Sequence, residues 1–232
     1  MTEAIELESL QELIEIMALL RSPCGCSWDR QQTPETLRKH ILEEAYELLE
    51  AIDNGKPDEI CDELGDLLLQ VVFQAQIFSE TGEFTLHDVA RSICNKLKRR
   101  HPHIFSDADH EGHEQRWEEI KRQERLERGQ SSDLAHRIPQ TLPALKRATK
   151  VAKKSLSDDP RASIQKIESR LQQIKEMLSE DNRPQPELEE NLGQMLLAIC
   201  QLSAASHCDP EDILRKKTSQ LIAKIDSTNN VY

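Results

Sequence analysis

The 232-residue sequence is poor both in residues that interrupt helices and in residues that build sheets. It contains 7 glycines, 10 prolines and 3 % aromatic residues, and its longest run of β-branched residues is Val71-Val72. Glutamate, leucine, lysine, glutamine and arginine, all good helix formers, dominate instead. These absences argue against a β-rich fold and predict an all-α protein.

Long apolar runs are also absent. No stretch of 18 apolar residues occurs, so the sequence predicts no membrane span. The segment from Met1 to Leu20 is acidic and lacks the basic and apolar regions of a secretory signal peptide. The six cysteines are scattered, which predicts reduced thiols and a cytoplasmic protein. Cys24-Gly-Cys26 is the closest pair, but no second ligand pair follows at a spacing that suits zinc.

Positive charge is in short supply. The chain has 30 Lys and Arg against 42 Asp and Glu, a formal net charge of −12. Binding to duplex nucleic acid needs a basic face for phosphate contacts, so we expect no such partner. A small anionic substrate remains compatible, because local basic clusters and bound cations can offset the global charge.

Apolar residues recur at helical spacing along most of the chain. They predict helices over about 7–20, 34–52, 58–79, 85–100 and 116–128, and further helices from 144 to about 225. Thr33-Pro34 has the pattern of an N-cap followed by proline at the first helical position. Segment 67–78 is apolar almost all round, which predicts a buried central helix. We expect a loop at 101–112.

The two halves of the sequence resemble each other. Ile41–Ile52 can be laid on Ile167–Leu178, and Glu63-Leu-Gly-Asp66 on Asn191-Leu-Gly-Gln194, with the apolar positions kept. We therefore predict modules at 1–129 and 144–232, joined by a linker at 130–143. All five acids are lost from the second copy, which predicts a degenerate, structural module that serves dimerisation. The paired positions are Glu43 and Ser169, Glu44 and Arg170, Glu47 and Gln173, Glu63 and Asn191, and Asp66 and Gln194.

Four acids form two pairs on consecutive predicted helices. Glu44 and Glu47 share one helix face, and Glu63 and Asp66 repeat that spacing after the turn. Antiparallel helices can point both pairs into one space. Two unit charges about 5 Å apart repel by roughly 3 kcal/mol at an effective dielectric near 20, a penalty that a divalent cation removes.

An all-oxygen site suits Mg²⁺, with Mn²⁺ possible, rather than zinc. Solvated helix faces are the alternative explanation of each acidic pair alone, but their joint loss from the second copy favours a site. A di-iron centre needs Glu-x-x-His on two helices, and neither acidic helix contains that motif.

A basic cluster, Lys96-Leu-Lys98-Arg99-Arg100, ends the fourth predicted helix. Its cations either stabilise the helix C-terminus by interacting with the helix dipole, or bind phosphate groups. Two tryptophans add flat rings that stack a nucleobase or belong to the core. The candidate substrate-binding residues are Lys96, Arg99, Arg100, Trp117, Lys121 and Trp28.

These residues together resemble the MazG family of nucleoside triphosphate pyrophosphohydrolases, most strongly over about residues 10–128. The acidic signature carries the resemblance, and other blocks extend it. They are Glu43-Glu44-x-x-Glu47 with Glu63-x-x-Asp66, Cys26-Ser-Trp28-Asp29 through Gln32-Thr33, Lys96 through His101-Pro-His-Ile-Phe105, Arg116-Trp117-Glu-Glu-Ile-Lys121, and Ile138-Pro-x-x-Leu-Pro-Ala-Leu145.

The resemblance implies a tandem of two MazG-like helical-bundle modules in a homodimer. It also implies Mg²⁺-dependent conversion of (deoxy)nucleoside triphosphates to monophosphate and pyrophosphate, in house-cleaning of the nucleotide pool. Its metal ligands would be Glu44, Glu47, Glu63 and Asp66, and its phosphate-binding cations would be Lys96 and Arg100. Trp117 and Lys121 would bind the nucleotide, and Glu43 would be one further acid of open role.

Two other functions remain open from the sequence. A non-catalytic regulatory or scaffold helical protein that binds nucleotides would also explain the degraded second copy. Hydrolysis of an alarmone such as guanosine tetraphosphate would use the same chemistry on another substrate. Base preference cannot be inferred from these residues.

Overall fold

The structure is a computed structural model that describes residues 2–105, 113–127, 129, 133–155, 159–179 and 185–229. All regular elements in these ranges are α-helices, so the expected all-α class is confirmed. The chain divides into two compact units, residues 1–121 and 122–232. The helices are α1 (Thr2–Arg21), α2 (Ser27–Gln31), α3 (Pro34–Asn54), α4 (Pro57–Glu80), α5 (Leu86–Arg100), α6 (Pro102–Phe105), α7 (His113–Glu127), α8 (Leu134–Arg137), α9 (Ala144–Ser155), α10 (Pro160–Ser179), α11 (Gln185–Ala205) and α12 (Pro210–Asn229).

Unit 1 is organised around the helical hairpin α3–α4. Gly55 ends α3 with φ of 70°, a left-handed conformation that glycine adopts without steric cost. Helices α1 and α5 pack on α4, and α2 packs on α1. The core combines side chains from α1, α3 and α4, which hold the hairpin in place: Met17, Leu37, Val72 and Phe73.

The N-terminus of α3 forms as its sequence predicts. The Thr33 side chain accepts a hydrogen bond from the Thr36 amide, the Thr36 side chain accepts one from the Thr33 amide, and Pro34 follows the cap. This reciprocal capping satisfies backbone donors that a helix start leaves unpaired. The start of α3, which sets the register of its acids, is therefore determined locally.

In unit 1, two short helices fall outside the sequence prediction. Helix α2 occupies the connection before α3, and α6 lies within the segment 101–112 that we expected to be a loop. A helix of one turn has too few residues to display periodicity, so no pattern marked either of them. Residues 106–112 lie outside the described ranges.

The prediction of a buried central helix over 67–78 holds for one side of α4 and is wrong for the other. Val72 and Phe73 are buried, but Leu68 and Val71 are 42 % and 43 % exposed. Helices α1, α3 and α5 pack on α4 and leave this side of it uncovered. The sequence thus has apolar residues on two faces of α4, and only one of these faces is covered within the unit.

Unit 2 is built around α11, which packs along α10 and also contacts α9 and α12. Buried apolar residues on α9, α10 and α11 form its interior; they include Ala152, Ile174, Ala198 and Cys200. Helix α8 lies in the segment 130–143 expected to be a linker, of which residues 130–132 are outside the described ranges. Among the described helices of both units, none combines the length and apolar character that a membrane span requires.

Candidate metal and nucleotide site

The hairpin of unit 1 brings three of the predicted acids together. Glu44 projects from α3, whereas Glu63 and Asp66 project from α4 one turn apart. One carboxylate oxygen from each residue lies within 4.8 Å of the other two. Glu44 and Glu63 are half-buried and Asp66 is exposed, so the three-acid cluster lies at the surface of the hairpin and opens to solvent.

Two acids of the cluster, Glu44 and Glu63, have raised pKa values. The pKa of Glu44 is raised above its ordinary value, first by partial burial and then by the charges of Asp66, Glu47 and Glu63. Burial also raises the pKa of Glu63, followed by the charges of Glu47 and Asp66. Glu47 is therefore within electrostatic reach of the cluster. The arrangement favours protonated acids or a bound cation.

One oxygen of the cluster is unsatisfied. Glu63 Oε2 is buried and has no hydrogen-bond partner among the described residues. A buried carboxylate oxygen without a partner is costly, and a coordinated cation would relieve that cost. Because the three grouped ligand atoms are carboxylate oxygens, the cluster fits a hard divalent cation of the Mg²⁺, Ca²⁺ or Mn²⁺ type.

Glu43 has a different partner, although it is next to Glu44 in the chain. Its Oε2 lies 2.9 Å from Nδ1 of His40, one turn earlier on α3. The His40 ring in turn lies edge-on to Trp28 of α2, with ring centroids 6.3 Å apart and an interplanar angle of 64°. Sequence reasoning did not single out His40. The spacing of residues 40, 44 and 47, which share one helix face, was the available signal.

The basic end of α5 meets α7. The Arg100 guanidinium carbon lies 5.4 Å from the Trp117 ring centroid, and the His101 ring centroid lies 5.0 Å from it. Lys121, one turn after Trp117, forms an ion pair of 2.5 Å with Glu118. Lys96 and Arg99 lie on α5, on the same terminal turns as Arg100. Arg100, His101 and Trp117 therefore form a cationic and aromatic cluster. Trp28, the other tryptophan, lies far from this cluster in sequence and is 53 % exposed.

Unit 2 has a neutral and basic set at the corresponding positions. Arg170 Nη1 donates to Gln173 Oε1 at 2.9 Å and to Asn191 Oδ1 at 3.3 Å. Asn191 is buried, and its Nδ2 donates to the Glu187 carbonyl at 2.9 Å. The polar side chains here satisfy one another within the unit.

Comparisons with known proteins find relatives over most of the chain. The MazG nucleotide pyrophosphohydrolase domain matches residues 32–105, which include all of α3, α4 and α5. The chain is 43 % identical over 219 residues to the nucleoside triphosphate pyrophosphohydrolase/pyrophosphatase MazG of Thermotoga maritima, covering 92 % of this chain and 83 % of that protein.

Other relatives have related names. The nucleoside triphosphate pyrophosphohydrolase of Escherichia coli is 38 % identical over 219 residues, covering 90 % of this chain and 83 % of that protein. A protein of the same name from Mycobacterium tuberculosis is 35 % identical over 152 residues, covering 64 % of this chain and 45 % of that protein. The chain belongs to the MazG family, which confirms the resemblance inferred from its motifs.

Proposed function

We propose that this protein hydrolyses (deoxy)nucleoside triphosphates to nucleoside monophosphate and pyrophosphate, with Mg²⁺ bound by unit 1. The observation that carries the proposal is the convergence of Glu44, Glu63 and Asp66 around an unpartnered oxygen of Glu63. The names of the Thermotoga maritima and Escherichia coli relatives support the activity. House-cleaning of the cytoplasmic nucleotide pool is the role that follows from it.

The residues divide the task along the substrate. In this proposal the cation is held by Glu44, Glu47, Glu63 and Asp66, and Mn²⁺ would fit the same oxygen donors. Bound Mg²⁺ supplies charge neutralisation and an activated water. Arginine and lysine neutralise phosphate oxygens, and aromatic rings stack a nucleobase. We assign phosphate binding to Lys96, Arg99 and Arg100, and base stacking to Trp28 and Trp117. Lys121 is assigned to nucleotide binding beside Trp117.

The bond that breaks decides the products. Water adds its oxygen to the α-phosphorus, and the bond from that phosphorus to the oxygen bridging it to the β-phosphorus breaks. Pyrophosphate leaves with the bridging oxygen, and the water's proton passes to a nearby base. Glu43 is our candidate for orienting the water, since it adjoins the cluster without belonging to it.

We propose further that the chain is a tandem of two related modules, 1–129 and 144–232, joined by 130–143. Their packing order supports this proposal. In unit 1, α4 contacts α1, α3 and α5; in unit 2, α11 contacts α9, α10 and α12. The second module lacks every acid of the cluster, so we assign it a structural role and no catalysis.

A homodimer is the third part of the proposal. Apolar stripes on α3 and α4 are exposed: Leu42, Tyr46 and Leu49 on the first, and Leu64, Leu68 and Val71 on the second. Helix geometry places Leu42 and Tyr46 about 160° around α3 from Glu44. Exposed apolar stripes of this kind mark protein interfaces. Light scattering should report a dimer, and Tyr46→Glu with Leu68→Glu should yield monomers; a wild-type monomer would contradict this part.

The decisive test of the proposed activity uses the full chain and a panel of standard and damaged (deoxy)nucleoside triphosphates. Pyrophosphate and orthophosphate are measured separately, with Mg²⁺, with Mn²⁺ and with a chelator. We expect pyrophosphate and monophosphate in equal amounts, lost with the chelator. Orthophosphate alone would move cleavage to another bond. No hydrolysis of any triphosphate would favour the regulatory role, and guanosine tetraphosphate in the panel tests the alarmone alternative.

A further inference from the structure

His40 extends the metal-binding face of α3 by one turn. Residues 40, 44 and 47 are spaced by four and three, so they lie along one stripe of the helix. The His40 side chain is 27 % exposed and its Nδ1 lies 2.9 Å from Glu43 Oε2. Both His40 and Glu43 are therefore beside the cluster of Glu44, Glu63 and Asp66, and outside it.

The other side of His40 contacts Trp28. The two rings meet edge to face at a centroid separation of 6.3 Å, within the range of favourable aromatic pairs. Trp28 is 53 % exposed, so much of its ring remains open to a ligand. A single imidazole thus touches the exposed tryptophan and the acid that adjoins the carboxylate cluster.

The helix that carries Trp28 is fastened to its surroundings. Gln32 Nε2 donates to the Trp28 carbonyl at 3.0 Å, and Thr36 Oγ1 of α3 donates to Gln32 Oε1 at 2.8 Å. Arg21 Nη1 at the end of α1 donates to the Asp29 carbonyl at 2.5 Å. These bonds fix the backbone of α2 against α1 and α3, and the His40 ring is placed to fix the indole.

We infer that His40 is a positioning residue for the proposed hydrolysis, acting through two separate contacts. Its ring braces Trp28 as a stacking platform for the nucleobase, and its Nδ1 restrains the Glu43 carboxylate outside the metal cluster. Without that restraint Glu43 is free to turn towards Glu47, four residues later on the same face, and to enter the ligand set. The inference rests on the proposed triphosphate hydrolysis and on the base-stacking role of Trp28.

Two substitutions separate the contacts. His40→Phe keeps a ring beside Trp28 but removes the partner of Glu43, so kcat should fall about tenfold or more, as for loss of a hydrogen bond to a charged group. His40→Asn keeps a donor near the Nδ1 position but removes the ring. Its KM should rise about two- to tenfold, as for loss of an aromatic pair, with kcat changed less than about twofold.

A double-mutant cycle tests the link to Glu43. In a Glu43→Gln background, His40→Phe should cause little further loss of kcat, because the restrained charge is already gone. His87→Phe and His87→Asn are matched controls on α5, where the histidine lies beside Arg91. A purely structural His40 would give parallel losses of Tm, kcat and kcat/KM in both His40 variants, with additive effects in the cycle. That result would overturn the inference.

A readout without nucleotide separates this inference from the proposed function. In a Trp117→Phe protein, Trp28 is the remaining tryptophan, and acrylamide quenching measures access to its ring. In this background, His40→Asn should increase the quenching constant, and His40→Phe should leave it near the value of the protein that retains His40. If wild type cleaves no triphosphate but quenching follows this order, the proposed function fails and the Trp28 contact stands. Equal quenching in all three proteins would overturn the bracing contact even in an active enzyme.

Discussion

The hairpins α3–α4 and α10–α11 are built from similar apolar patterns and differ most in their polar residues. In the first, Glu44, Glu63 and Asp66 converge, and burial together with neighbouring carboxylates raises the pKa values of Glu44 and Glu63. In the second, the guanidinium of Arg170 bridges the amide oxygens of Gln173 and Asn191. The polar cluster of the first hairpin therefore concentrates negative charge, whereas that of the second includes the Arg170 guanidinium.

The two hairpins differ in which of their buried polar groups have hydrogen-bond partners. Glu63 Oε2 is buried without a partner, whereas the corresponding Asn191 uses both its oxygen and its nitrogen in hydrogen bonds. A buried polar group costs stability only when it lacks a partner. In the proposed metal site, an added cation therefore stabilises the first hairpin only. In the proposed division of roles, similar helical frames differ in function because function depends on the polar residues placed on them.

The largest expected effect separates the hairpins by activity. Glu44→Gln or Asp66→Asn should reduce triphosphate hydrolysis about 1000-fold or more, because a cation at this position supplies several kcal/mol of charge stabilisation. Folding should be retained, since removing one of several repelling acids relieves strain. Glu50→Gln, an exposed acid on the same helix, is the matched control. Full activity in both variants would refute the metal site, and substantial residual pyrophosphate release would indicate catalysis outside this cluster.

The next effect concerns the cations of α5. Lys96→Ala and Arg100→Ala should each lower kcat/KM for triphosphates about 10- to 100-fold, as for loss of a hydrogen bond between charged groups. The change in Tm should be small. Arg147→Ala, an exposed arginine of α9, serves as the control in unit 2. If Tm and activity fall together in the α5 variants, these cations stabilise the helix end rather than bind phosphate.

Removing the internal cation of unit 2 should have a moderate effect on stability and none on catalysis. Arg170→Met leaves Asn191 Oδ1 without its donor, so unfolding should become easier by about 1–2 kcal/mol. Mg²⁺ should not restore the loss. Thermal unfolding of this variant is compared with that of Lys175→Met, an exposed cation on the same helix. Loss of hydrolysis at unchanged stability would contradict a silent second hairpin.

The smallest expected effect is a pH dependence. Glu44 has a folded-state pKa above its ordinary 4.5, so its ionisation opposes folding. Glu44 therefore contributes favourably to the free energy of unfolding of the metal-free protein below pH 4.5. This contribution is lost as the pH rises through the raised pKa. Glu44→Gln should flatten this part of the curve, and Mg²⁺ should stabilise wild type above it.

Glu80 provides a control of opposite sign for that measurement. Its hydrogen bond from Arg21 lowers its pKa, so its contribution is present above its ordinary value of 4.5 and is lost as the pH falls through the lowered pKa. Glu80→Gln should therefore reduce stability at neutral pH. Denaturant unfolding at several pH values checks both signs. A metal-free curve that Glu44→Gln leaves unchanged would argue against the repulsion within the cluster.

Much of the fold follows from local sequence. The start of α3 is predicted by Thr33-Pro34, and the spacing of Glu63 and Asp66 places them on one face of α4. Helix caps and periodicity involve residues a few positions apart, so the sequence contains all the information needed. The pairing of the two acidic helices also follows, because a short turn leaves consecutive helices few alternatives to packing side by side.

Sequence alone therefore determined that this protein is all-helical, belongs to the MazG family and has its acids on consecutive helices. Tertiary structure decided that Trp28 meets His40, that Leu68 and Val71 stay exposed, and that Arg170 reaches Asn191. Each of these outcomes depends on rotamers and on contacts between different helices or across a turn. Spacing along one helix specifies which face a residue occupies, but the neighbouring elements decide which partner its side chain reaches.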